Sequence, residues 1–228
     1  MGKCSMFVST SKAPLPAAPL GIPHGMPRVP DWEKMTLRKW LVVTEDMFSK
    51  TGIHFHLTDH FAIPETLMNE NLLPVPNIGS MTNQFVVDKF LRKYAGVNVH
   101  SEEDLSAYDD PQRNGVPSLV LMTCSIEPDD NTTGHWQKLI RANRKPEDQY
   151  IGFQDYCIAF AMFFEATYQP LDITSRTLTP EKTLTREPVL SVRWGSSVGG
   201  LRIFGLDSRN VDKNDGFRKV IPVPLKYK

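Results

Sequence analysis

The chain has few cysteines and no long apolar run. Three cysteines, Cys4, Cys124 and Cys157, occur among 228 residues. An odd number without paired spacing does not form a disulfide framework, and it favours a reducing compartment. No run approaches the roughly 18 apolar residues of a transmembrane helix, and residues 1–30 lack the continuous apolar segment of a secretory signal. We therefore expect any membrane contact to be peripheral.

Net charge is also absent, because 26 lysines and arginines balance 26 aspartates and glutamates. A neutral chain is not expected to wrap nucleic acid, so no sequence-specific nucleic-acid binding is predicted, although local basic patches are compatible with this balance. The chain is 40% hydrophobic and 23% charged. This composition and length predict one globular domain with a substantial core and no second large domain.

Motifs of catalysis are missing or incomplete. The chain has neither the phosphate-binding Gly-rich loop of nucleotide hydrolases nor a dinucleotide fingerprint. Residues 195–199 match the Gly-x-Ser-x-Gly nucleophile elbow, but no histidine follows His135, so a hairpin turn is the better interpretation. Residues 210–216 resemble a calcium loop with its glycine one place late, which favours a polar turn. Cys157 lies in the most apolar run, where a thiol stays protonated. We therefore predict no catalytic residue, no cofactor and no enzymatic activity.

The amino terminus carries a candidate lipid anchor. Gly2 would become the terminal residue after removal of Met1 and is a candidate for N-myristoylation, and Cys4 is a candidate for palmitoylation. The motif is imperfect, since Met6 stands where serine or threonine is usual. One myristoyl chain binds membranes with K of only about 10⁴ M⁻¹, so a second chain on Cys4 would be needed for a lasting anchor. The alternative is an ordinary disordered terminus.

A proline-rich arm follows the candidate anchor. Its prolines, at positions 14, 16, 19, 23, 27 and 30, favour extended backbone and predict a semi-rigid, disordered arm over residues 1–30. Within it, Pro16-Ala17-Ala18-Pro19 is similar to the Pro-Thr/Ser-Ala-Pro late-domain peptides with which enveloped viruses recruit host budding factors. Ala17 replaces the usual threonine or serine, and proline-rich linkers produce such matches by chance.

Residues 31–228 are predicted to form a single compact α+β domain with a mostly antiparallel sheet and a few helices. The clearest helix is expected at 82–95, with Gly96 at its carboxyl-terminal cap, and residues 37–44 fit either a helix or a strand. A short helix is expected from Pro64 to Leu72, ended by Pro74, and a long exposed loop over 170–186. Strands are expected at 52–57, 118–126, 157–164, 189–194, 201–206 and 220–223.

Three histidines form the sharpest candidate for metal chemistry. His54 and His56 lie two apart on the strand predicted at 52–57, so their side chains would share one face, and His60 follows. The sequence resembles the His-x-His-x-Asp-His signature of metallo-β-lactamases, with one extra residue before Asp59. A zinc hydrolase that uses these histidines is therefore an alternative hypothesis, while a strand with surface histidines is the simpler interpretation, and no metal site is assigned.

A basic cluster is predicted to contact anionic partners. The four cations Lys138, Arg141, Arg144 and Lys145 lie near Trp136 on a predicted helical turn and the loop after it. Each cation adds about 1 kcal/mol of attraction at an anionic membrane surface. A solvated helix face is the alternative interpretation.

The layout of an anchored proline-rich arm before one domain without an active site resembles the matrix proteins of rhabdoviruses and other enveloped negative-strand RNA viruses. The one matching peptide is Pro16 to Pro19, and myristoylation is not typical of that family. The resemblance implies a virion structural protein that self-associates at the cytoplasmic face of a membrane and contacts a nucleocapsid or a host budding factor. A host adaptor that binds partners through the arm remains a further alternative.

Overall fold

The computed structural model describes residues 31–79, 81–109, 117–128, 130–131, 149–179, 189–206 and 214–226. Helices and two mostly antiparallel sheets occur in these residues, which confirms the predicted α+β class. The helices are α1 (Leu37–Lys50), α2 (Leu57–His60), α3 (Asn83–Val86, continued by a π-helical segment, Val87–Tyr94) and α4 (Phe153–Thr167). Short 3₁₀ helices are formed by Trp32–Lys34, Glu65–Leu67 and Leu105–Tyr108.

The strands form a four-stranded and a six-stranded sheet. They are β1 (Leu72–Asn77), β2 (Asn98–Ser101), β3 (Ser118–Thr123), β4 (Asp130–Asn131), β5 (Gln149–Tyr150), β6 (Arg176–Thr179), β7 (Val189–Gly195), β8 (Gly200–Leu206), β9 (Asp215–Phe217) and β10 (Lys219–Val223). The smaller sheet has the order β1-β3-β10-β5 and is antiparallel throughout. The larger has the order β2-β8-β7-β6-β9-β4, in which β2 with β8 and β6 with β9 are parallel.

Helix α4 lies at the centre of the core, and the prediction of a strand at 157–164 was wrong. Every residue of α4 except Thr167 is buried. An apolar run on both faces shows that a segment is buried, but it does not separate a central strand from a fully buried helix. The helix begins after Gly152 and ends at Tyr168, whose φ of +56° stops helical hydrogen bonding.

Aromatic contacts place α4 between the two sheets. Its Phe160 and Phe164 stack on Trp194 of β7, with ring centroids 6.1 and 5.7 Å from the indole. Elsewhere on the helix, Phe163 meets the ring of Trp32 edge-on at 5.1 Å. Helix α4 also packs against β1 of the smaller sheet and against α1 and α3. One helix therefore joins both sheets into a single core cluster.

Two local predictions near the histidines were wrong. Residues 53–56 form no strand, and Leu57 opens α2 instead. The helix expected from Pro64 to Leu72 is only the 3₁₀ turn Glu65–Leu67, and Leu72 begins β1, which contains Pro74. Proline fits there because β1 is the edge strand of its sheet, where a missing backbone donor breaks no ladder hydrogen bond on the open side.

Several other predictions are confirmed. Thr82 caps α3 by accepting a hydrogen bond from the Phe85 amide at 3.1 Å, and Gly96 follows the helix with φ of +63°. The π-helical character was not predicted, and it is visible in the bond from the Ala95 amide to the Phe90 carbonyl at 2.9 Å. Residues 196–199 form the expected turn between β7 and β8. The strand predicted at 118–126 ends early, at Thr123.

The segment expected to be a long exposed loop over 170–186 enters the core at its start. Leu171 and Asp172 are buried, and residues 176–179 form β6. Asp172 has φ of +56° and accepts hydrogen bonds from the fully buried Arg218 and Tyr156. The polar turn predicted at 210–216 is likewise overturned at Asp215, which is buried in β9. Sequence polarity was misleading at these positions because the charged groups are paired inside the fold.

Candidate functional site

The predicted anchor, late-domain peptide and basic cluster lie outside the described residues. These positions are Gly2 and Cys4, Pro16, Ala17, Ala18 and Pro19, and Lys138, Arg141, Arg144 and Lys145. In the parts of the chain that are described, no helix is both long enough and apolar enough to cross a membrane.

The histidines do not converge on a metal site. His54 Nδ1 lies 3.1 Å from the Ser49 hydroxyl, and His56 Nδ1 lies 3.2 Å from Glu45 Oε2. The other oxygen of Glu45 accepts the Leu57 amide at 2.8 Å, so this carboxylate positions the first turn of α2. Among the described residues, no group of three histidine, cysteine, aspartate or glutamate side chains is placed to hold a metal ion. The geometry does not support the zinc hydrolase alternative.

The most distinctive polar surface lies on the six-stranded sheet, on the face turned away from α4. Leu190, Val192 and Trp194 of β7 point into the main core, so Ser191 and Arg193 point to the opposite face. On β8, Leu201 and Ile203 belong to the same core, which places Arg202 and Phe204 on the opposite face. One half of this face is apolar and buried, formed by Leu178, Val189, Leu206 and Phe217, and Tyr150 of β5 in the smaller sheet packs against it.

The other half of the face carries a row of basic side chains across adjacent strands. Arg193 of β7 is directly opposite Arg202 of β8, and Arg202 is opposite His100 of β2. On the other side, the register of β6 with β7 places Arg176 beside Arg193. We call Arg176, Arg193 and Arg202, together with Phe204, the arginine face.

The three arginines differ in how their charge is balanced. Arg176 donates to both carboxylate oxygens of the buried Asp215, with its Nη2 2.8 Å from Oδ2. Arg202 donates to Glu102 at 3.1 Å, but the side chain of Glu102 is 67% exposed. Arg193 has no carboxylate within ion-pair distance among the described residues, and its buried Nε has no hydrogen-bond acceptor. Arg193 is therefore the uncompensated charge of the arginine face.

Phe204 holds two of these guanidinium groups in place. Its ring centroid lies 5.6 Å from Cζ of Arg176 and 5.9 Å from Cζ of Arg193. Cation–π contacts of this kind contribute about 0.5–1 kcal/mol at exposed sites and more where water is excluded. The ring also limits the rotamers open to Arg176 and Arg193.

A cavity of about 550 Å³ adjoins the arginine face at the edge strand β2. Its lining includes His100, Val198 and Arg92. The guanidinium of Arg92 is anchored by Asp88 at 2.6 Å and donates to the Val99 carbonyl at 3.3 Å. Arg92 therefore covers part of the open edge of β2, which is a common way for a protein to protect an unpaired strand.

Sequence reasoning missed the arginine face, although a signal for it exists. Arg193 lies between Val192 and Trp194, and Arg202 lies between Leu201 and Ile203, so each arginine occupies a non-core position of an alternating strand. The four-residue turn at 196–199 fixes the register that places the two arginines opposite each other. The alternation predicts the face of each arginine, and only the turn predicts their pairing.

Comparison with known proteins identifies no relative. No protein-family model, curated protein or solved structure matches the chain.

Proposed function

We propose that the protein is a non-enzymatic, matrix-like scaffold at the cytoplasmic face of a membrane. Acyl chains on Gly2 and Cys4 anchor it, it self-associates there, and it links the membrane to an internal partner such as a nucleocapsid or a host budding factor. The observation that carries the proposal is the arginine face, in which Arg193 has no carboxylate among the described residues.

The arginine face supports membrane contact in two ways. A cation near an anionic lipid surface contributes about 1 kcal/mol, so the uncompensated Arg193 adds to the weak binding of a single acyl chain. This residue also lies on a sheet whose opposite face packs on α4, so the core holds it in a fixed position. The chain has no net charge, and contact with anions therefore depends on local charge of this kind.

The described side chains also support a non-enzymatic role. Cys124 and Cys157 are buried, and burial raises the pKa of the Cys124 thiol to about 12, so this thiol is not a nucleophile at neutral pH. Burial likewise raises the pKa of Tyr156 well above its ordinary value, and its hydroxyl is committed to Asp172. These groups stabilise the core.

The test is the Gly2→Ala variant expressed in eukaryotic cells. We expect the wild-type protein to carry a fatty-acyl mass increment and to float with membranes in a density gradient, and we expect the variant to lose both. Gly21→Ala is the matched control, because it makes the same change at another glycine of the arm.

Cys4→Ser tests the second chain separately. Its product should keep the myristoyl mass and bind membranes reversibly, since one chain gives only marginal affinity. The proposed anchor is overturned if the wild-type protein carries no acyl mass and floats no better than Gly2→Ala.

A further inference from the structure

The central feature is two like charges that the sheet places face to face. In the β7–β8 register, Arg193 is the direct cross-strand partner of Arg202. Side chains at such positions have Cβ atoms about 4.5–5.5 Å apart, and like charges directly opposite each other destabilise a sheet. Among the described residues, the pair has one carboxylate partner, the exposed Glu102, which bonds Arg202 alone. The fold therefore maintains a repulsive pair with incomplete compensation.

Unpaired donors accompany this repulsion. The Nε of Arg193 is buried without an acceptor, and the buried Oγ of Ser191, the next side chain of β7 on the same face, is also without a partner. A buried donor that lacks an acceptor costs about 1–3 kcal/mol. The nearby Glu103 does not supply one, since its oxygens bond the Gly205 amide and the Tyr108 hydroxyl.

We propose that Arg193 and Arg202 together bind the phosphate of a phosphomonoester. Such a group carries a charge of about −1.5 to −2 at neutral pH and has three strongly accepting oxygens, which suits two guanidinium groups, whereas a carboxylate would balance only one. Guanidinium forks match phosphate oxygens in bidentate geometry, which an ammonium group does not. The side chain of Arg202 is 35% exposed and Arg193 is half-buried, so solvent reaches both residues of the pair.

The inference deepens the proposed membrane role. We take the source of the phosphate to be the headgroup of a phosphoinositide, and this assignment rests on the proposed function. A soluble phosphorylated metabolite offers the same chemistry, and single-stranded RNA offers phosphodiesters with one charge each. Phe204 is the aromatic side chain on which a nucleobase of RNA would stack. Its ring is already in contact with the guanidinium groups of Arg176 and Arg193, which disfavours such stacking.

The experiment uses the full chain without acylation, so that the anchor does not contribute. Binding is measured to soluble inositol trisphosphate, to phosphatidylcholine vesicles with phosphatidylinositol bisphosphate, to vesicles with phosphatidylserine at matched total charge, and to a short single-stranded RNA. We expect wild-type protein to bind inositol trisphosphate and to prefer the phosphoinositide vesicles. Arg193→Gln should weaken the affinity for inositol trisphosphate and for the phosphoinositide vesicles by about tenfold to a hundredfold. This factor corresponds to the loss of one charge-assisted hydrogen bond.

Arg38→Gln is the matched control. Arg38 lies on α1, is not part of the arginine face, and forms an exposed ion pair with Glu65, so this variant changes the net charge equally and should bind as wild type does. Arg193→Lys keeps the charge but loses the fork, and its affinity should lie between the wild type and Arg193→Gln. The urea midpoint of Arg193→Gln should be unchanged or higher, because the substitution removes a repelling charge; a purely structural role would lower it.

The outcomes separate this inference from the anchor. Binding of inositol trisphosphate without preference for phosphoinositide vesicles supports the phosphate site with a soluble ligand as its source. Equal affinity of wild type and Arg193→Gln, no binding of any phosphate probe, or Arg193-dependent binding of RNA alone overturns it. The flotation of Gly2→Ala tests only the anchor, because the phosphate-binding measurements use protein without acylation.

Discussion

Arg218 and Asp172 form an ion pair in the core, with Nη2 2.5 Å from Oδ1 and both side chains fully buried. Arg218 also donates to the backbone carbonyls of Ser125 and Ile126, at 2.9 and 2.7 Å. The second oxygen of Asp172 accepts the Tyr156 hydroxyl at 2.6 Å. This network joins the segment after β3, helix α4, the loop before β6 and the residue between β9 and β10.

Removal of one partner of this pair should destabilise the protein strongly. Arg218→Leu leaves the Asp172 carboxylate buried without its counter-ion, and loss of one partner of a buried pair costs about 3–5 kcal/mol. Urea unfolding measures the change. The control is Arg38→Leu, which breaks an exposed ion pair with Glu65 and should cost at most about 1 kcal/mol. Similar losses in the two variants would contradict a structural role for the buried pair.

Truncation of Phe160 tests the position of α4 between the sheets. Phe160 is fully buried and stacks on Trp194 and Phe164. Phe160→Ala should lower the free energy of unfolding by about 3–5 kcal/mol, because it leaves a cavity between the helix and β7. Phe85→Ala is the comparison, since Phe85 is 44% exposed. If both substitutions cost the same, Phe160 does not pack in the core.

Gly200 allows the close approach of β2 to β8. A Cβ at this position would lie 2.4 Å from the Asn98 carbonyl oxygen, a backbone atom that cannot move without shifting β2. Gly200→Ala should speed amide hydrogen exchange in residues 98–101 and cost about 1–3 kcal/mol. Gly96→Asn is the control, because its Cβ meets open space and asparagine tolerates the positive φ. Unchanged exchange in β2 would count against this strand pairing.

Glu165 should make stability fall as pH rises. Burial raises the pKa of this carboxyl above its ordinary value, and the nearby Lys50 opposes the shift only in part. The folded state therefore binds the proton more tightly than the unfolded state, and stability is lost from the ordinary glutamate pKa of about 4.3 upward through the folded pKa.

Glu165→Gln should remove this pH dependence and raise the urea midpoint at neutral pH. A series of unfolding curves across that pH range measures both effects. The same substitution at the exposed Glu70 should change neither. A midpoint of Glu165→Gln below that of wild type at neutral pH would show that the ionised carboxylate stabilises the fold.

Local sequence patterns predicted the elements with one buried face or a clear cap. Thr82 and Gly96 delimit α3 because capping and positive φ are local requirements, and the turn between β7 and β8 needs only the conformational freedom of Gly199. A strand was wrongly predicted at 157–164 because every residue there is buried. Uniform burial shows neither the period of a helix nor that of a strand.

The sequence by itself determined the α+β class, the alternation of β7 and β8, and the shortage of catalytic motifs, since all of these depend on residue type and spacing along the chain. Tertiary structure alone decided that Asp172 meets Arg218 and that α4 lies between two sheets. It also placed Arg176 of β6 beside Arg193 of β7. Each of these contacts depends on the register or packing of segments distant in sequence, where the free energy of burial outweighs local preference.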